Sequence, residues 1–283
     1  MNKKVFFKTF GITTVILLAV IGALFYWMLH ASIGHVEDIE ELDRVLPDGN
    51  QNIVVFGTDK EGLRSDVVMI FSVDPEENCV NIMSIPRDTK IYIGNEAQKF
   101  NAALAICKEN LAVRKVKELT WMAIHDYVTL NFDAVETIID ALGGVDYNVP
   151  QNMNYEDPVQ DLYIHLKAGE QHLDGEHALQ LLRFRKYAMA DIKRTEVQRD
   201  FIKACFEQKF NARYIAKIPE IYGAVDKNVK TSLTLAEAMS YVTIVKSMKN
   251  GGVHSYEFPY DISGGFVVPR QAELKDIVEK HFK

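Results

Sequence analysis

Three short apolar runs decide the fold: Ile53-Val54-Val55-Phe56, the run VVMIFSV at 67–73, and the run VNIMSI at 80–85. They are rich in β-branched residues, and turn-forming residues separate them around Lys60 to Gly62 and at Asp74-Pro75. This pattern is typical of neighbouring strands in one sheet. The first two runs contain almost no polar residues, so we expect both faces of those strands to be buried.

Farther along the chain, strand patterns alternate with helix patterns. Further strands are predicted at 145–149, 162–166, 253–258 and 266–268, and the last two are candidates to return to the sheet. The predicted helices are Asn101 to Leu119 with a candidate break near Asn110, Asp133 to Leu142 behind an Asp133/Glu136 capping box, a helix capped by Asp174, an amphipathic helix through Val197 to Phe210, a helix opened by Thr234 and Glu237, and a final helix from Pro269. The alternation predicts an α/β fold, with a central mixed β-sheet and helices on both faces in an α-β-α arrangement.

One transmembrane helix is predicted ahead of this fold. From Thr9 to Val36 the chain has no Asp, Glu, Lys or Arg, and the run Phe10 to Leu29 is dominated by apolar residues. About 20 helical residues span the ~30 Å hydrocarbon core of a bilayer. Lysines precede the run and aromatic residues close it, which places the N-terminus in the cytoplasm and the rest of the chain outside. A cleavable signal peptide is the alternative, but its apolar region is usually only about 7 to 15 residues long.

These signals divide the chain into four parts. They are a cytoplasmic N-terminus at 1–8, a membrane helix at 9–30, a linker at 31–51 that is acidic from residue 37, and an extracytoplasmic domain at 52–283. The net charge of −7 argues against a nucleic acid partner, because phosphate backbones require a basic face. Cys79, Cys107 and Cys205 are widely spaced among apolar neighbours, which favours buried free thiols, with one disulfide and a spare thiol as the alternative.

Charged residues stand where the predicted strands end. Asp59 follows the first strand, and Asp66 opens the second, so both carboxylates lie in one loop as a candidate pair of oxygen ligands for Mg²⁺. Arg87 directly follows the third strand and also emerges at a sheet edge. Taken singly, each residue could instead belong to a solvated loop or a surface ion pair.

A second group of charged residues lies near residue 190. Arg183 and Arg185 act together only if the helix before them finishes near residue 182, and cations are also common at helix C-termini for dipole reasons alone. Asp191, Arg194 and Gln198 have spacings of three and four, which align on one helix face, with an exposed salt bridge as the alternative. Several guanidiniums, a few carboxylates and no His or Cys nucleophile together suit a diphosphate that is clamped by Arg and bridged by a metal.

Eight short motifs resemble the LytR-CpsA-Psr family. They are Asn52 to Asp59, Arg64-Ser65-Asp66, Ser84 to Thr89, Lys99 to Ala103, Asn131-Phe132-Asp133, Leu142 to Asp146, Leu173 to Leu179 and Arg183 to Lys186. The resemblance covers Asn52 to about Phe210 in the family's order, so we take 52–210 as the motif core. A single N-terminal span is also typical of that family.

The resemblance implies an extracytoplasmic phosphotransferase of a Gram-positive-type envelope. Members of the family move a glycopolymer phosphate, such as a teichoic acid or capsule chain, from an undecaprenyl-pyrophosphate carrier to the C6 hydroxyl of N-acetylmuramic acid in peptidoglycan, assisted by Mg²⁺. By this resemblance Asp59 and Asp66 are the metal-associated and catalytic acids, and Asp66 is the base for the acceptor hydroxyl. The implied diphosphate-binding residues are Arg64, Arg87, Arg183, Arg185, Arg194 and Gln198. The lipid tail is expected in an apolar pocket between sheet and helices.

Two other functions remain open from the sequence. The same site with water as acceptor would be a polyprenyl-pyrophosphate phosphatase, and a non-catalytic protein that binds the carrier lipid would regulate envelope synthesis. The chain also departs from the family at Val197, where Arg is common, and Arg199 would project from a different helix face. This departure bears on substrate preference more than on the type of reaction.

Overall fold

The structure is a computed structural model of the 283-residue chain. It describes residues 35–43, 49–58, 65–159, 162–187, 190–209, 214, 216–246 and 252–283. The predicted membrane helix at 9–30 lies outside these residues. Among the helices that are described, none combines the length and apolar character that crossing a bilayer requires.

Strands and helices alternate along the described chain. The strands are β1 (His35–Val36), β2 (Gln51–Thr58), β3 (Ser65–Asp74), β4 (Cys79–Ser84), β5 (Lys90–Ile93), β6 (Glu96–Lys99), β7 (Asp126–Leu130), β8 (Val145–Val149), β9 (Met153–Asp157), β10 (Leu162–Leu166), β11 (Gly169–Leu173), β12 (Val229–Thr231), β13 (Val253–Tyr256), β14 (Tyr260–Ser263) and β15 (Phe266–Pro269). The helices are α1 (Asn101–Thr120), α2 (Phe132–Ala141), α3 (Gly175–Arg183), α4 (Ala190–Lys209), α5 (Ile218–Ala224), α6 (Leu235–Lys246) and α7 (Gln271–His281).

The three apolar runs form the middle of a seven-stranded mixed sheet, whose strand order is β1-β12-β7-β2-β3-β4-β13. β3 is antiparallel to both β2 and β4, whereas β2 and β7 are parallel, as are β4 and β13. The strands β2, β4, β7 and β13 therefore all end at the same edge of the sheet. That edge is where an α/β sheet usually binds its ligands.

Helices cover both faces of the sheet. On one face, Phe56 and Ile70 belong to a large core with apolar residues of α1 and α7, such as Val116 and Val278. On the other face, Ile82 belongs to a smaller cluster with side chains of α4 and α6 packed against it, namely Ile202, Phe206 and Tyr241. The predicted α/β sheet with helices on both faces is thus observed.

Burial of the two faces of β2 is unequal. Val54 and Phe56 are fully buried against the first core, whereas Ile53 and Val55 on the opposite face are only half-buried. Val128, which pairs with Val55 on the neighbouring strand, is also half-buried. Because directly paired residues of neighbouring strands point to the same face, these side chains form a partly open apolar strip. Our expectation that both faces of β2 are buried was therefore wrong for this face.

A second structural unit packs beside the sheet. β8 pairs with β11 and β9 with β10, each as an antiparallel pair. Alternate residues of these strands, such as Val145 and Ile164, share an apolar cluster with Leu181 of α3 and with Val197 and Phe201 of α4. Since α4 also packs on the sheet, it joins the two units.

Several predicted boundaries need correction. The cap of α2 is Asn131, whose side chain accepts a hydrogen bond from the Ala134 amide, and not Asp133. α1 is not broken at Asn110, although Lys108 within it has a φ of 55°. Of the two final strand predictions, β13 joins the sheet, whereas β15 pairs with β14 in a separate hairpin. Pro269 ends β15, so the last helix begins two residues later.

The acidic segment predicted as a linker is docked over part of its length. β1 pairs with β12, and the Glu37 amide donates to the Thr231 carbonyl at 3.1 Å. Leu42 is buried, and the Asp43 carboxylate accepts a hydrogen bond from the Ile124 amide at 3.0 Å. The described part of the segment therefore belongs to the folded domain.

Two of the three cysteines can be assessed. Cys79 and Cys205 are free thiols, and the side chain of Cys107 is not among those described. Burial raises the pKa of Cys205 to about 12, which keeps it as an unreactive thiol. The predicted buried free thiol is confirmed for Cys79, whereas Cys205 is free but only half-buried.

Candidate active site

The candidate site lies at the edge where β2, β4 and β7 end. Because β3 and β4 are antiparallel and Met69 pairs with Ser84, the start of β3 and the segment after β4 reach this edge together. Asp66 is the second residue of β3, and Arg87 follows the end of β4 by three residues. The sheet therefore places these two residues side by side although 21 positions separate them.

Asp66 is bound by arginines from two different structural units. Its Oδ1 accepts a hydrogen bond from Arg87 Nη1 at 2.8 Å, and its Oδ2 accepts one from Arg185 Nη2 at 2.5 Å. The Asp66 and Arg87 side chains are 22% and 24% exposed, whereas Arg185 is 48% exposed. The carboxylate is thus partly shielded from water but open on the side of Arg185.

The charge state of Asp66 follows from these neighbours. Burial alone would raise its pKa, but the positive charges of Arg185, Arg87 and Arg194 outweigh that effect and hold the pKa below its ordinary value of 3.8. Asp66 is therefore ionised at neutral pH.

Arg194 and Gln198 project from one face of α4, as their spacing predicted, and both line a cleft beside Asp66. Arg194 is buried, and its Nη2 approaches the Asp66 carbonyl at 3.4 Å. The Gln198 amide nitrogen donates to the Leu182 carbonyl at 2.9 Å. Gln198 therefore holds the end of α3 against α4, close to where Arg185 leaves the helix.

Arg183 takes a different position from Arg185. α3 ends at Arg183, and Phe184 is extended, so the condition that the helix finishes near residue 182 is met. The Arg183 guanidinium lies over the Phe132 ring at 4.5 Å from its centroid, just after the end of β7. Arg183 thus lies at the β7 side of the same edge, while Arg185 reaches Asp66.

Three predicted residues cannot be placed. Asp59 and Arg64 lie outside the described residues, and so does the side chain of Asp191, whose backbone belongs to α4. Their roles stay predictions. The described residues contain no group of three or more His, Cys, Asp and Glu side chains that could hold a metal ion. At the part of the site that the structure describes, Asp66 supplies a hard, ionised oxygen donor of the kind that Mg²⁺ takes.

The departure at position 197 has a structural explanation. Val197 is 2% exposed and belongs to the apolar cluster that contains Phe184 and Phe201, so no cation could be held there without rebuilding the cluster. Arg199 projects from another face of α4, as expected, and its Nε donates to Ser255 Oγ at 3.1 Å. It does not replace the missing arginine.

Ser84 is a site residue that sequence reasoning missed. It is the last residue of β4, is 2% exposed and lines the cleft with Asp66, Arg87, Arg194 and Gln198. Its hydroxyl has no hydrogen-bond partner among the described residues. The only sequence signal was its place in the motif that contains Arg87, because a serine at a strand end is otherwise unremarkable.

Comparison with known proteins places these features in a family. A model of the LytR_cpsA_psr family matches residues 28–281. The polyisoprenyl-teichoic acid–peptidoglycan teichoic acid transferase TagV of Bacillus subtilis (strain 168) is 31% identical over 183 residues, which are 62% of this chain and 47% of TagV. The transferase of the same type named TagU, from Bacillus cereus (strain AH820), is 28% identical over 254 residues, which are 83% of this chain and 80% of TagU.

A solved structure agrees with the fold. The crystal structure of B. subtilis TagV matches with a TM-score of 0.71 and 25% identity, covering 84% of this chain and 98% of the solved one. The predicted mixed α/β architecture is therefore confirmed. The named relatives are transferases, which also confirms the prediction of an enzyme family, although the match spans only about half the length of TagV.

Proposed function

Since the chain belongs to the LytR-CpsA-Psr family, we propose that it transfers a glycopolymer phosphate from an undecaprenyl-pyrophosphate carrier to the C6 hydroxyl of N-acetylmuramic acid in peptidoglycan. The polymer is a teichoic acid, a capsule chain or a similar wall polysaccharide. The observation that carries this proposal is the ionised carboxylate of Asp66 held between Arg87 and Arg185. Such a site has both a base and an array of anion-binding groups.

The arginines suit a diphosphate. Guanidinium groups offer planar pairs of N–H donors that match phosphate oxygens, and Arg87, Arg185 and Arg194 converge on one small region around Asp66. Arg183 stands at the other side of the same edge, with its cation already stacked on Phe132.

The transfer step needs few groups. The acceptor C6 oxygen attacks the phosphorus that carries the polymer, the bond from that phosphorus to the bridging oxygen breaks, and undecaprenyl phosphate leaves. The hydroxyl proton passes to Asp66. Diphosphate oxygens compete for the Arg87 and Arg185 guanidiniums, which raises the pKa of Asp66 from its depressed value and makes it a better base. Arg87 and Arg194 stabilise the charge on the phosphoryl oxygens.

Mg²⁺ is the proposed cofactor. Asp66 and Asp59 would hold it together with diphosphate oxygens, and it would supply further charge neutralisation. Asp66 fits this role as a partly exposed, ionised carboxylate at the site. Arginines bind both carboxylate oxygens of Asp66 in the structure. A cation could therefore approach Asp66 only after the negative charge of the substrate had drawn these arginines away.

The half-buried apolar strip of Ile53, Val55 and Val128 supports a place for the polyprenyl chain. Val67, at the start of β3 and opposite Gly57, is also half-buried and lines the cleft beside Asp66. The strip therefore leads directly to the charged site, as a donor with a lipid tail and a diphosphate head requires.

The proposed location is the outer face of a cell membrane. A single span at 9–30 would keep the N-terminus in the cytoplasm and hold the domain next to the lipid carrier and the peptidoglycan acceptor. Protease protection of intact cells, with tags at either end of the chain, tests this topology: the C-terminal tag should be cleaved from outside and the N-terminal tag should not.

The decisive experiment is transfer of labelled polymer. Full-length protein in lipid nanodiscs, given a lipid-linked labelled polymer, Mg²⁺ and peptidoglycan, should attach label to peptidoglycan. Arg87→Ala should abolish this transfer. Arg114→Ala, which removes an exposed arginine of α1 that is paired with Glu41, should leave transfer unchanged.

Two outcomes would replace the proposal. Release of all label as soluble polymer phosphate would identify a phosphatase that uses water as the acceptor. Full biological activity in an Asp59→Ala/Asp66→Ala double variant that still binds lipid would identify a non-catalytic regulator.

A further inference from the structure

Two hairpins beside the candidate site form an exposed surface that the proposed mechanism does not use. In the hairpin of β5 and β6, Tyr92 is 55% exposed and lies on the face opposite Ile91, which is buried in the first core. β15 lies next to β5, because the Val267 amide donates to the Asp88 carbonyl at 3.0 Å. Val267 packs against the first core, so Phe266 before it points to the exposed side.

Lys90 joins the two aromatic rings. Its ammonium lies 5.2 Å from the centre of the Tyr92 ring and 5.7 Å from that of the Phe266 ring. Such cation–π contacts hold a lysine in place but do not neutralise its charge. Among the residues that the structure describes, no carboxylate forms an ion pair with Lys90. These three side chains, which we call the aromatic platform, thus combine exposed aromatic surface with a cation that an anion can still bind.

The aromatic platform is continuous with the candidate site. Lys99 pairs with Lys90 across the hairpin, so both side chains emerge on one face. Lys99 Nζ lies 3.2 Å from Asp88 Oδ1, and Arg87 Nε lies 4.0 Å from the same oxygen. Arg87 in turn donates to Asp66. An extended ligand that reaches Asp66 can therefore continue across this face of the hairpin.

The aromatic platform lies on the side of the sheet away from the apolar strip. Ile91 and Ile93, on the inner face of the hairpin, pack in the first core with Phe56. The apolar strip, proposed for the polyprenyl chain, is on the opposite face of the sheet. In phosphoryl transfer the attacking and leaving oxygens stand roughly in line, on opposite sides of the phosphorus. If the polyprenyl phosphate leaves toward the strip, the acceptor approaches from the side of the platform.

We propose that the aromatic platform binds the acceptor: Tyr92 and Phe266 stack against sugar rings of a peptidoglycan strand, and Lys90 binds a carboxylate of its peptide. The C–H groups on one face of a sugar ring are weakly positive and match the negative face of an aromatic ring. The peptides of peptidoglycan carry carboxylates, so the charges are complementary. This inference rests on the proposed function for the identity of the acceptor, and it extends that function by naming the surface that recognises the acceptor.

The first test separates acceptor from donor in the transfer reaction. Full-length protein in lipid nanodiscs receives soluble glycan fragments with attached peptides at increasing concentration, with labelled lipid-linked polymer in excess. Tyr92→Ala should raise the KM for the fragments about fivefold, while kcat and the KM for the lipid-linked polymer stay unchanged. Tyr92→Phe, which keeps the ring, should resemble wild type. The control Tyr163→Ala removes a tyrosine of β10 that is 47% exposed, and it should change neither KM.

The second test needs no transfer. Cosedimentation of the same nanodiscs with purified peptidoglycan, stripped of its wall polymers, measures binding directly. Tyr92→Ala should bind about fivefold more weakly, and Tyr163→Ala should bind like wild type. Lys90→Gln should bind about threefold more weakly at low salt and should match wild type at about 0.5 M salt, because salt screens the charge pair that the variant lacks. Equal binding of Lys90→Gln and wild type at low salt would overturn the role of Lys90.

Three results would overturn the inference as a whole. They are unchanged acceptor KM and cosedimentation in Tyr92→Ala, an equal loss in Tyr163→Ala, and a rise confined to the KM for the lipid-linked polymer, which would assign the platform to the donor. The melting temperature of each variant controls for folding. Peptidoglycan binding that depends on Tyr92, without any transfer by wild type, would leave the platform standing and remove the proposed function. Transfer by wild type with an acceptor KM that is independent of Tyr92 would do the reverse.

Discussion

The candidate site is made of two halves that the fold supports in different ways. The sheet half, Asp66 and Arg87, follows directly from strand register, and its side chains are mostly shielded. The helix half, Arg183, Arg185, Arg194 and Gln198, comes from the end of α3 and the start of α4. Its position depends on side-chain contacts, such as the Gln198 bond to the Leu182 carbonyl and the stacking of Arg183 on Phe132.

This difference indicates which half can adjust to substrate. Strand pairing fixes the sheet half through many backbone hydrogen bonds, whereas one glutamine and the packing of Phe184 and Tyr187 hold the segment that carries Arg185. Arg185 is also the more exposed of the two arginines on Asp66. We therefore expect the helix half to move when a diphosphate replaces Asp66 as the partner of Arg185.

The largest effect should come from removing the charge that joins the halves. Asp66→Asn keeps the shape of the side chain but removes the base and the partner of Arg87 and Arg185. Transfer of labelled polymer should fall at least about 100-fold, within the range attributed to general-base groups. Pyrophosphate binding, measured by calorimetry, should stay equal or tighten, because two arginines lose a competing anion.

The matched control is Asp146→Asn, which removes an exposed carboxylate paired with His172 in the second unit. It should leave both transfer and pyrophosphate binding unchanged. Weaker pyrophosphate binding in Asp66→Asn would mean that Asp66 positions the arginines instead of competing for them.

A smaller effect is expected from loosening the helix half alone. Gln198→Ala removes the bond to the Leu182 carbonyl, so transfer should drop about tenfold, and urea unfolding should show a loss of about 1–2 kcal/mol. Gln208→Ala, which removes a half-buried glutamine bonded to the Asp146 backbone, is the control. Equal activity losses in the two variants would contradict a specific role for Gln198.

The sheet should also give the protein a dependence of stability on pH, through a histidine at the edge opposite the candidate site. His125 Nδ1 accepts a hydrogen bond from the Asn52 amide, which ties the start of β7 to β2. Burial, the largest influence, lowers the pKa of His125 below its ordinary value of 6.5, so the folded state binds this proton less readily than the unfolded chain. Stability from this residue is therefore complete above about pH 6.5 and declines as the pH falls below it.

Urea unfolding at pH 7.5 and pH 5.0 checks this sign. His125→Asn, whose side-chain oxygen can still accept from the Asn52 amide, should lose less stability than wild type between the two values. The exposed His254→Asn should behave like wild type. A larger loss in His125→Asn than in wild type would contradict the assignment. Asp66 does not interfere, because its lowered pKa places its own effect at more acidic pH.

The smallest effect is expected at Tyr187 in the helix half. Burial raises its pKa to about 12, and its hydroxyl has no hydrogen-bond partner among the described residues. Tyr187→Phe should therefore unfold within about 1 kcal/mol of wild type, or be slightly more stable. Tyr241→Phe removes a hydroxyl that donates to buried Asp126 at 2.9 Å, so it should lose about 1–2 kcal/mol by the same measurement. A large loss in Tyr187→Phe would reveal a bond that the structure does not contain.

Local patterns were sufficient for the sheet half. The runs at 53–56, 67–73 and 80–85 became β2, β3 and β4 with boundaries within two residues, because apolar β-branched runs between turns are rarely found outside strands.

Boundary errors arose where two local signals competed. Asn131 and Asp133 can both cap a helix, and the Asn131 side chain is the one placed to accept from the Ala134 amide. Pro269 suits the start of a helix, but it is bound in the hairpin opposite Tyr260.

Local patterns were insufficient for the contacts between the halves. Arg185 and Asp66 are 119 positions apart, and their pairing depends on how α3 crosses the sheet edge. β7 was missed although Tyr127 to Leu130 has the composition of a strand, because the polar pair His125-Asp126 lies where the strand begins at Asp126. The buried hydroxyl of Ser84 could not be recognised at all, since a missing partner is visible only when every neighbour is placed.

If residues 9–30 cross a membrane as proposed, the docking of β1 limits how far the folded domain can stand from it. If the predicted span ends near residue 30, only four residues separate it from His35, the first residue of the sheet. Four extended residues reach about 14 Å at most. The segment between the span and the domain is then a short tether, which holds the domain close to the bilayer surface. A Gly/Ser insert between residues 31 and 34 would lengthen this tether and increase the distance from the site to the bilayer without changing any residue of the site.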